Sequence, residues 1–365
     1  MVKHNPNNER IKRNYLRFLK ESRGQDESSL DAVAMALSRF EMYTKQRDFK
    51  KFHYELAIGF KNDLTKQNSK QSGKALSKST LNTTLRHLKG FFQWLAMQNG
   101  YRSFLTYTDA DYFNLSEKDT RIATTNHAKP VPTIEQIKHV LDTMPSSTDI
   151  EQRNKALIAF TLLTGARDNA IASIKLKHVN LDEGRVYQDA REVNTKFSKS
   201  FETFFFPVGD EVHQIVIDWV NHLQSKLLWG NDDPLFPKTE ITSDKDQRFK
   251  ATGLLREHWS NATPIRKIFR KAFTNADLPY FNPHSFRNTL SRLGQRTCST
   301  AESFKAWSQN LGHANVLTTF TSYGEVQVER QGELIRGLAS TENTHQPDVK
   351  ELAKAIAYEM KNSVN

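Results

Sequence analysis

Two histidines, an arginine and a tyrosine lie close together between residues 281 and 324, and their side chains suit phosphodiester chemistry. His284 and Arg287 are three residues apart, so a helix places both on one face. His313 ends the tripeptide Leu-Gly-His, and Tyr323 follows ten residues later. A phenol can supply the nucleophilic oxygen for in-line attack on phosphorus, while a guanidinium and two imidazoles stabilise the charge that builds on the non-bridging oxygens.

Two further cations upstream could complete such a site. Arg167 ends the tetrapeptide Thr-Gly-Ala-Arg, which closes an apolar helical stretch. At the break between two helices, its guanidinium can reach a phosphate with two nitrogens. Lys196 and Lys199 lie in a basic turn, Thr-Lys-Phe-Ser-Lys, that joins two strand-like segments. Either lysine could donate a proton from the tip of such a hairpin.

These motifs occur in the order Thr-Gly-Ala-Arg, Thr-Lys-Phe-Ser-Lys, His-Ser-Phe-Arg, Leu-Gly-His and a final tyrosine. In this order they resemble the tyrosine recombinases, also called the phage integrase family. The similarity covers about residues 130–330 as motifs and extends more loosely over the N-terminal half. The resemblance implies a site-specific DNA recombinase of a mobile element or phage, which cuts and rejoins strands through a Holliday junction.

The resemblance also implies a role for each site residue. Tyr323 would attack the phosphate and leave a 3′-phosphotyrosine with a free 5′ hydroxyl, so that rejoining needs no ATP. Arg167 and Arg287 would bind the phosphate and stabilise the transition state. Lys196, the first lysine of its motif, would be the general acid for the leaving 5′ oxygen. His284 and His313 would donate hydrogen bonds and carry protons at the phosphate. The cations take the place of a metal, so no metal or other cofactor is implied.

The chain departs from the family pattern at two places. The family commonly has an acidic residue three positions after the first arginine, but this chain has Ala170 there. We therefore expect Asp168 or another group to support Arg167. The step from His313 to Tyr323 is also one residue longer than usual, which we interpret as a small loop adjustment.

The charge of the chain favours a polyanionic partner, because the formal net charge is +11. Residues 1–125 hold 22 Lys and Arg against 13 Asp and Glu, so most of the excess lies in this third of the chain. A solvated basic face would account for a single helix, but a whole basic domain predicts contact with the phosphate backbone of double-stranded DNA. The candidate contacts are Lys66, Lys70, Lys74, Lys78, Arg86 and Lys89.

Hydrophobic periodicity predicts a mainly α protein with a small antiparallel β-sheet. We expect a basic N-terminal arm or a loosely packed first helix over residues 1–27, a helical DNA-gripping bundle over 28–125, a tyrosine-recombinase-like catalytic domain over 126–340 and a tail helix over 341–365. Helices are predicted at 30–43, 48–64 and 81–98, an interdomain linker at 103–131 and an irregular excursion at 229–261. The tail helix could dock on a neighbouring protomer, as the resemblance implies, or on its own domain.

Several classes of protein and site are disfavoured by the sequence. Cys298 is the single cysteine, so neither a disulfide within the chain nor a Cys-based zinc site can form. No apolar segment is long enough to span a membrane, and the N-terminus lacks the apolar core of a secretion signal. We therefore expect a cytoplasmic, nucleoid-associated protein from a bacterium or phage.

The resemblance further implies a homotetramer on two DNA sites and an accessory directionality factor. The short segment before residue 28 argues for a simple recombination site without an extra arm-binding domain. Two alternatives stay open, namely a catalytically inactive DNA-binding regulator on the same fold and a type IB topoisomerase. The topoisomerase would relax supercoils on any plasmid, whereas a recombinase would act at its own site only.

Overall fold

A computed structural model describes residues 4–69, 73–125, 130–243 and 249–313. The chain divides into two compact units, residues 1–126 and 127–365. Each unit has its own hydrophobic core. Three predicted features lie outside the described residues: Tyr323, Lys70 and the tail helix at 341–365.

The N-terminal unit is an all-helical bundle around a core of aromatic rings. Phe52 stacks on Phe92 with ring centroids 3.8 Å apart, and Phe40 and Phe113 pack against the same rings. Its α-helices are α1 (Pro6–Arg17), α2 (Glu27–Tyr43), α3 (Tyr54–Lys66), α4 (Lys78–Ala96) and α5 (Glu117–Thr124). A π-helical turn at Phe18–Ser22 and 3₁₀ turns at Phe49–Lys51 and Tyr107–Phe113 complete it.

The predicted N-terminal arm is instead part of this bundle. Ile11, Tyr15 and Leu19 are buried, and the Tyr15 ring packs against Phe91 and Trp94. The three buried residues are spaced four apart, so they form one narrow apolar stripe on a helix whose other faces are polar. Because polar and basic residues surround the stripe, the sequence did not decide between a mobile arm and a packed first helix.

The predicted linker at 103–131 is also partly ordered structure. It contains the 3₁₀ turn Tyr107–Phe113 and helix α5, and it buries Ala110 and Phe113 in the core. Elements of eight residues or fewer show too little of the 3.6-residue period to be recognised in a sequence.

The C-terminal unit is built around one helix that is buried on nearly all sides. This helix, α7, is fully or almost fully buried from Ala156 to Thr164, as expected for a helix that is apolar all round. The α-helices of the unit are α6 (Ile134–Thr143), α7 (Asp149–Thr164), α8 (Asp168–Ile171), α9 (Asp210–Asn221), α10 (Thr263–Asn275), α11 (Pro283–Thr297) and α12 (Ala301–Asn310).

A three-stranded antiparallel sheet, in the order β1-β2-β3, packs on the same core. Its strands are β1 (Val179–Asn180), β2 (Arg185–Gln188) and β3 (Phe201–Phe204). The 3₁₀ turn Lys196–Ser198 lies in the connection between β2 and β3, so the predicted small antiparallel sheet with a basic turn is confirmed.

The segment predicted as irregular, residues 229–261, contains a second antiparallel pair. Strands β4 (Lys238–Ser243) and β5 (Phe249–Leu255) form a hairpin with a bulge beside Glu240. Most of its residues are exposed, including Ile241 and Phe249, so burial imposes no apolar–polar alternation on the sequence. Among the described residues, no helix is long and apolar enough to cross a bilayer.

Candidate active site

Arg287 on helix α11 is the centre of the site. Its side chain is only 3% exposed, and both terminal nitrogens are held by backbone carbonyls. Nη1 donates to the Gly165 oxygen at 2.6 Å, and Nη2 donates to the Leu311 oxygen at 2.5 Å. The guanidinium therefore joins the end of α7 to the segment that follows α12.

Gly165 makes the first of these contacts possible. It ends α7 in the left-handed conformation, with φ 59° and ψ 20°. A Cβ at this position would lie 2.9 Å from Leu311 Cδ2 and 3.0 Å from Leu290 Cδ1. The close packing and the positive φ both require glycine. The turn points the Gly165 carbonyl at Arg287 and brings Arg167 to the start of α8.

His313 contacts Arg287 directly, with its Nε2 atom 2.9 Å from Arg287 Nη2. An arginine can only donate, so Nε2 accepts and the imidazole proton is on Nδ1. Burial, and then the charges of Arg287 and Arg167, lower the pKa of His313 to about 4. The ring is therefore neutral at pH 7 and can donate one hydrogen bond from Nδ1.

Arg167 lies beside Arg287 and is half-buried. Burial lowers its pKa from the ordinary value. Burial, and then the charge of Arg167, lower the pKa of Arg287 to about 9, so Arg287 remains protonated at pH 7. Within the part of the chain that the structure describes, Arg167 has no hydrogen-bond acceptor, and the buried Nε of Arg287 has none either. Two guanidinium groups with unused donors form a natural site for an anion.

Asp168 does not support Arg167 in the way we expected. Its carboxylate accepts from Arg266 Nε at 2.7 Å and from the backbone nitrogen of Asn169. Asp168 is the first residue of α8, where a carboxylate is favoured by the free backbone N–H groups. Ala170, at the position where an acid is common, is buried in the core.

His284 lies one helical turn before Arg287 and is exposed at the rim of the site. The atoms packed beneath its ring partly desolvate it, and this lowers its pKa below 6.5. The charges of Arg287, Arg167 and Lys196 lower the pKa further, while Asp168 opposes them. Lys196 therefore lies close enough to act electrostatically on His284.

The segment that carries Lys196 is anchored just beyond the C-terminal end of α8. Asn194 N donates to Ser173 Oγ at 2.8 Å, and Val193 is buried in the core. Lys177 Nζ forms an ion pair with Oε1 of Glu192, in the same segment, at 2.9 Å. Lys196 itself is exposed, as is the competing Lys199 at the end of the turn.

The structure thus brings together four of the six predicted residues, with Lys196 nearby and Tyr323 outside the described residues. The sequence did not reveal the groups that hold them. Carbonyls such as those of Gly165 and Leu311 leave no side-chain signal, although a glycine directly after an apolar helix indicates a left-handed cap. Ser173 and Asn310 carry no feature that distinguishes them from other polar residues of a helix end.

The basic residues predicted to bind DNA differ in their surroundings. Lys78 pairs with Asp119 at 2.9 Å and Lys89 pairs with Asp111 at 2.8 Å, which the sequence did not predict. Lys66, Lys74 and Arg86 are exposed. A surface ion pair is weak enough for a phosphate to compete with it, so both kinds of residue stay candidates.

A family model described as "Phage integrase family" matches residues 132–330 of this chain. The match covers more than half of the chain and spans all six predicted site residues. The chain belongs to the phage integrase family. Members of this family are tyrosine recombinases, and the protein is accordingly an enzyme that breaks and rejoins DNA strands.

Two curated members of the family align with most of the chain. Tyrosine recombinase XerC from Halalkalibacterium halodurans is 22% identical over 275 residues, which cover 74% of this chain and 77% of the relative. Tyrosine recombinase XerD from Staphylococcus haemolyticus is 20% identical over 330 residues, or 88% of this chain and 97% of the relative.

Solved structures of integrases share the fold. A lambda integrase dimer bound to a core site is 15% identical, with a TM-score of 0.57 over 88% of this chain and 98% of that chain. The Tn1549 transposon integrase in complex with transposon right end DNA is also 15% identical, with a TM-score of 0.56 over 90% of this chain and 99% of that chain. The mainly helical fold with small antiparallel sheets is therefore that of the integrases.

Proposed function

We propose that this recombinase acts for a mobile element or phage and cuts double-stranded DNA through a 3′-phosphotyrosyl intermediate. The single observation that carries the proposal is the pair of adjacent guanidinium groups, Arg167 and Arg287, with unused donors and no carboxylate bonded to either among the described residues. A doubly cationic site of this kind fits the scissile phosphate, whose negative charge grows during in-line attack.

The two arginines contribute differently. Arg167 is half-buried without an acceptor among the described residues, so its guanidinium can bind the phosphate oxygens. Arg287 is fixed by the carbonyls of Gly165 and Leu311 and supplies positive charge beneath the phosphate. Because the Arg287 guanidinium is already held in place before DNA binds, it needs little reorganisation in the transition state.

The remaining roles concern protons. His313, neutral and with Nε2 occupied by Arg287, can donate from Nδ1 to a non-bridging oxygen. His284 at the rim can exchange protons with the reacting groups. Lys196 on its exposed turn protonates the leaving 5′ oxygen, and Tyr323 supplies the attacking oxygen.

The DNA partner and the assembly are part of the same proposal. The lambda and Tn1549 integrase structures contain DNA, as their titles state, and this supports a duplex substrate here. We extend the proposal to a homotetramer on two sites, exchange through a Holliday junction, an accessory directionality factor and a cytoplasmic, nucleoid-associated protein. The exposed cations of the N-terminal unit would contact the phosphate backbone.

Covalent trapping tests the proposal. The wild-type protein and Tyr323→Phe are incubated with a library of nicked duplexes that carry a randomised site, and the products are separated on a denaturing gel. We expect a protein–DNA adduct with the wild type only, and sequencing of the trapped DNA gives the site. If both proteins select a common sequence but neither forms an adduct, the protein is a DNA-binding regulator. An adduct that persists with Tyr323→Phe identifies another nucleophile.

A further inference from the structure

The side chain of Asn310, the last residue of α12, pairs with the backbone of a single residue of β3. Asn310 Nδ2 donates to the Phe204 oxygen at 2.8 Å. The Phe204 nitrogen donates to Asn310 Oδ1 at 2.7 Å. The carboxamide thus presents one donor and one acceptor to the strand, as a peptide group of a neighbouring strand would.

This pairing occupies the free edge of the sheet. Strand β3 is the outer strand of the order β1-β2-β3, so its outward backbone groups have no strand partner among the described residues. A third hydrogen bond joins the same two elements: Thr203 Oγ1 donates to the backbone carbonyl oxygen of Asn310 at 3.1 Å. Thr203 is fully buried and also accepts from Gln188 Nε2 on β2 at 3.3 Å. Strands β2 and β3 and the end of α12 are therefore connected through one buried hydroxyl and one carboxamide.

The three residues after Asn310 carry the site. The Leu311 oxygen accepts from Arg287, Gly312 takes φ 68°, and His313 contacts Arg287 through Nε2. A Cβ on Gly312 would lie 2.6 Å from an atom of the Phe201 ring, so β3 packs closely against this segment as well. The segment is fixed by Arg287 on one side and by β3 on the other.

We propose that Asn310 is a positioning residue for the cleavage reaction, which fixes the segment bearing His313 to the strand that follows the Lys196 turn. The inference rests on the proposed function of His313 and Lys196. Asn310 touches neither the substrate nor the reacting atoms and acts only through His313 and its neighbours. Side chains of similar size do not replace it, since aspartate lacks the donor for the Phe204 oxygen and leucine lacks both groups.

The test is single-turnover cleavage of the nicked duplex recovered by covalent trapping. The variants are Asn310→Ala, His313→Ala and the double variant, with Gln309→Ala as the matched control on the exposed side of the same turn. A small displacement of a catalytic group can cost up to about a hundredfold in rate. We expect Asn310→Ala to cleave about tenfold to a hundredfold more slowly at unchanged affinity for the duplex, and Gln309→Ala to cleave as the wild type does.

The double variant distinguishes positioning from a general loss of structure. If Asn310 acts through His313, adding Asn310→Ala to His313→Ala slows cleavage no further. An additive loss, or a wild-type rate for Asn310→Ala, overturns the inference. If Asn310→Ala does not fold, Thr203→Val removes the third bond with little change in shape. We expect Thr203→Val to slow cleavage less than Asn310→Ala does, and to slow it no further when combined with His313→Ala. A wild-type cleavage rate for Thr203→Val overturns the inference.

Failure of the proposed function would look different. A wild-type protein that forms no adduct, or a His313→Ala variant that cleaves at the wild-type rate, overturns the function of the site and the role of Asn310 with it. If the wild type cleaves normally and His313→Ala cleaves slowly, but Asn310→Ala cleaves at the wild-type rate, only the role of Asn310 is overturned.

Discussion

The Arg287 guanidinium donates to the carbonyl oxygen of Gly165 at 2.6 Å, across 122 residues of sequence. This hydrogen bond joins the C-terminal end of the central helix α7 to the second turn of α11. The same guanidinium reaches Leu311 and His313, so one buried side chain sets the relative positions of three segments of the site. The site is therefore sensitive to changes that leave its charges intact.

Replacement of Gly165 by alanine should damage both stability and cleavage. An alanine must adopt a positive φ and place its Cβ within 3.0 Å of Leu290 and Leu311 side-chain atoms. Left-handed strain costs about 1–2 kcal/mol, and the overpacking adds about 1–3 kcal/mol. Urea denaturation measures the free energy of unfolding, and the rate of cleavage of the nicked duplex measures the effect on catalysis.

Gly184→Ala is the matched control for that change. Gly184 also has a positive φ, of 57°, but a Cβ there meets the nearest atom, on Phe205, at an ordinary 3.6 Å. We expect the free energy of unfolding of this variant to fall only by the cost of the left-handed conformation, and its cleavage rate to stay at the wild-type value. Equal losses of stability in the two variants would show that the close packing around Gly165 is unimportant.

Arg287→Lys should abolish most activity although the charge is kept. A single ammonium cannot reproduce the fork that bonds both the Gly165 and Leu311 oxygens. A buried carbonyl left without a donor costs about 1–3 kcal/mol. Arg266→Lys is the control, because Arg266 is largely exposed and its pair with Asp168 is a surface ion pair, worth at most about 1 kcal/mol. A similar loss of stability in both variants would contradict this account.

The residues that the structure brings together in the candidate site could be predicted from the sequence, but the groups that hold them could not. Arg167, His284, Arg287 and His313 stand in motifs with fixed spacing, and the structure brings these four together. Helix caps that side chains make also carry a local sequence signal, as in the capping box of Thr133 and Gln136. Such signals are local, and each depends on residues a few positions apart.

The supports depend on contacts between residues far apart in sequence. The pairing of Asn310 with Phe204 joins residues 106 positions apart, and no local pattern at either residue indicates it. The close packing of the N-terminal helix was not predicted, because its apolar stripe of Ile11, Tyr15 and Leu19 is narrow. The β4–β5 hairpin was missed because an exposed hairpin needs no apolar face.

Stability should fall as the pH is lowered towards 4, and His313 should contribute to this. Its pKa in the folded protein is lowered to about 4 from the ordinary 6.5, so the unfolded chain binds the proton more tightly. The stabilisation is complete above pH 6.5 and is lost progressively as the pH falls to about 4. Denaturant titrations between these pH values should show a smaller pH dependence for His313→Asn than for the wild type.

His53→Asn serves as the control for the pH experiment, because His53 is an exposed residue of the N-terminal unit. We expect the unfolding of the C-terminal unit to keep its wild-type pH dependence in this variant. An unchanged pH dependence in His313→Asn would mean that the imidazole is not held neutral by Arg287 and its surroundings.

A substrate with a changed leaving group can show which of Lys196 and Lys199 is the general acid. Lys196→Ala should cleave an ordinary phosphodiester far more slowly, because the departing 5′ oxygen needs a proton from a general acid, a contribution of about a hundredfold or more. A duplex with sulfur in place of that bridging oxygen releases a thiolate, whose conjugate acid has a pKa of about 8.5 and needs no such help. We therefore expect the sulfur substrate to restore cleavage to Lys196→Ala. Lys199→Ala, on the same exposed turn, should cleave both substrates at the wild-type rate. Restoration of Lys199→Ala instead would assign the proton to Lys199, and restoration of neither would assign the lysines to DNA binding.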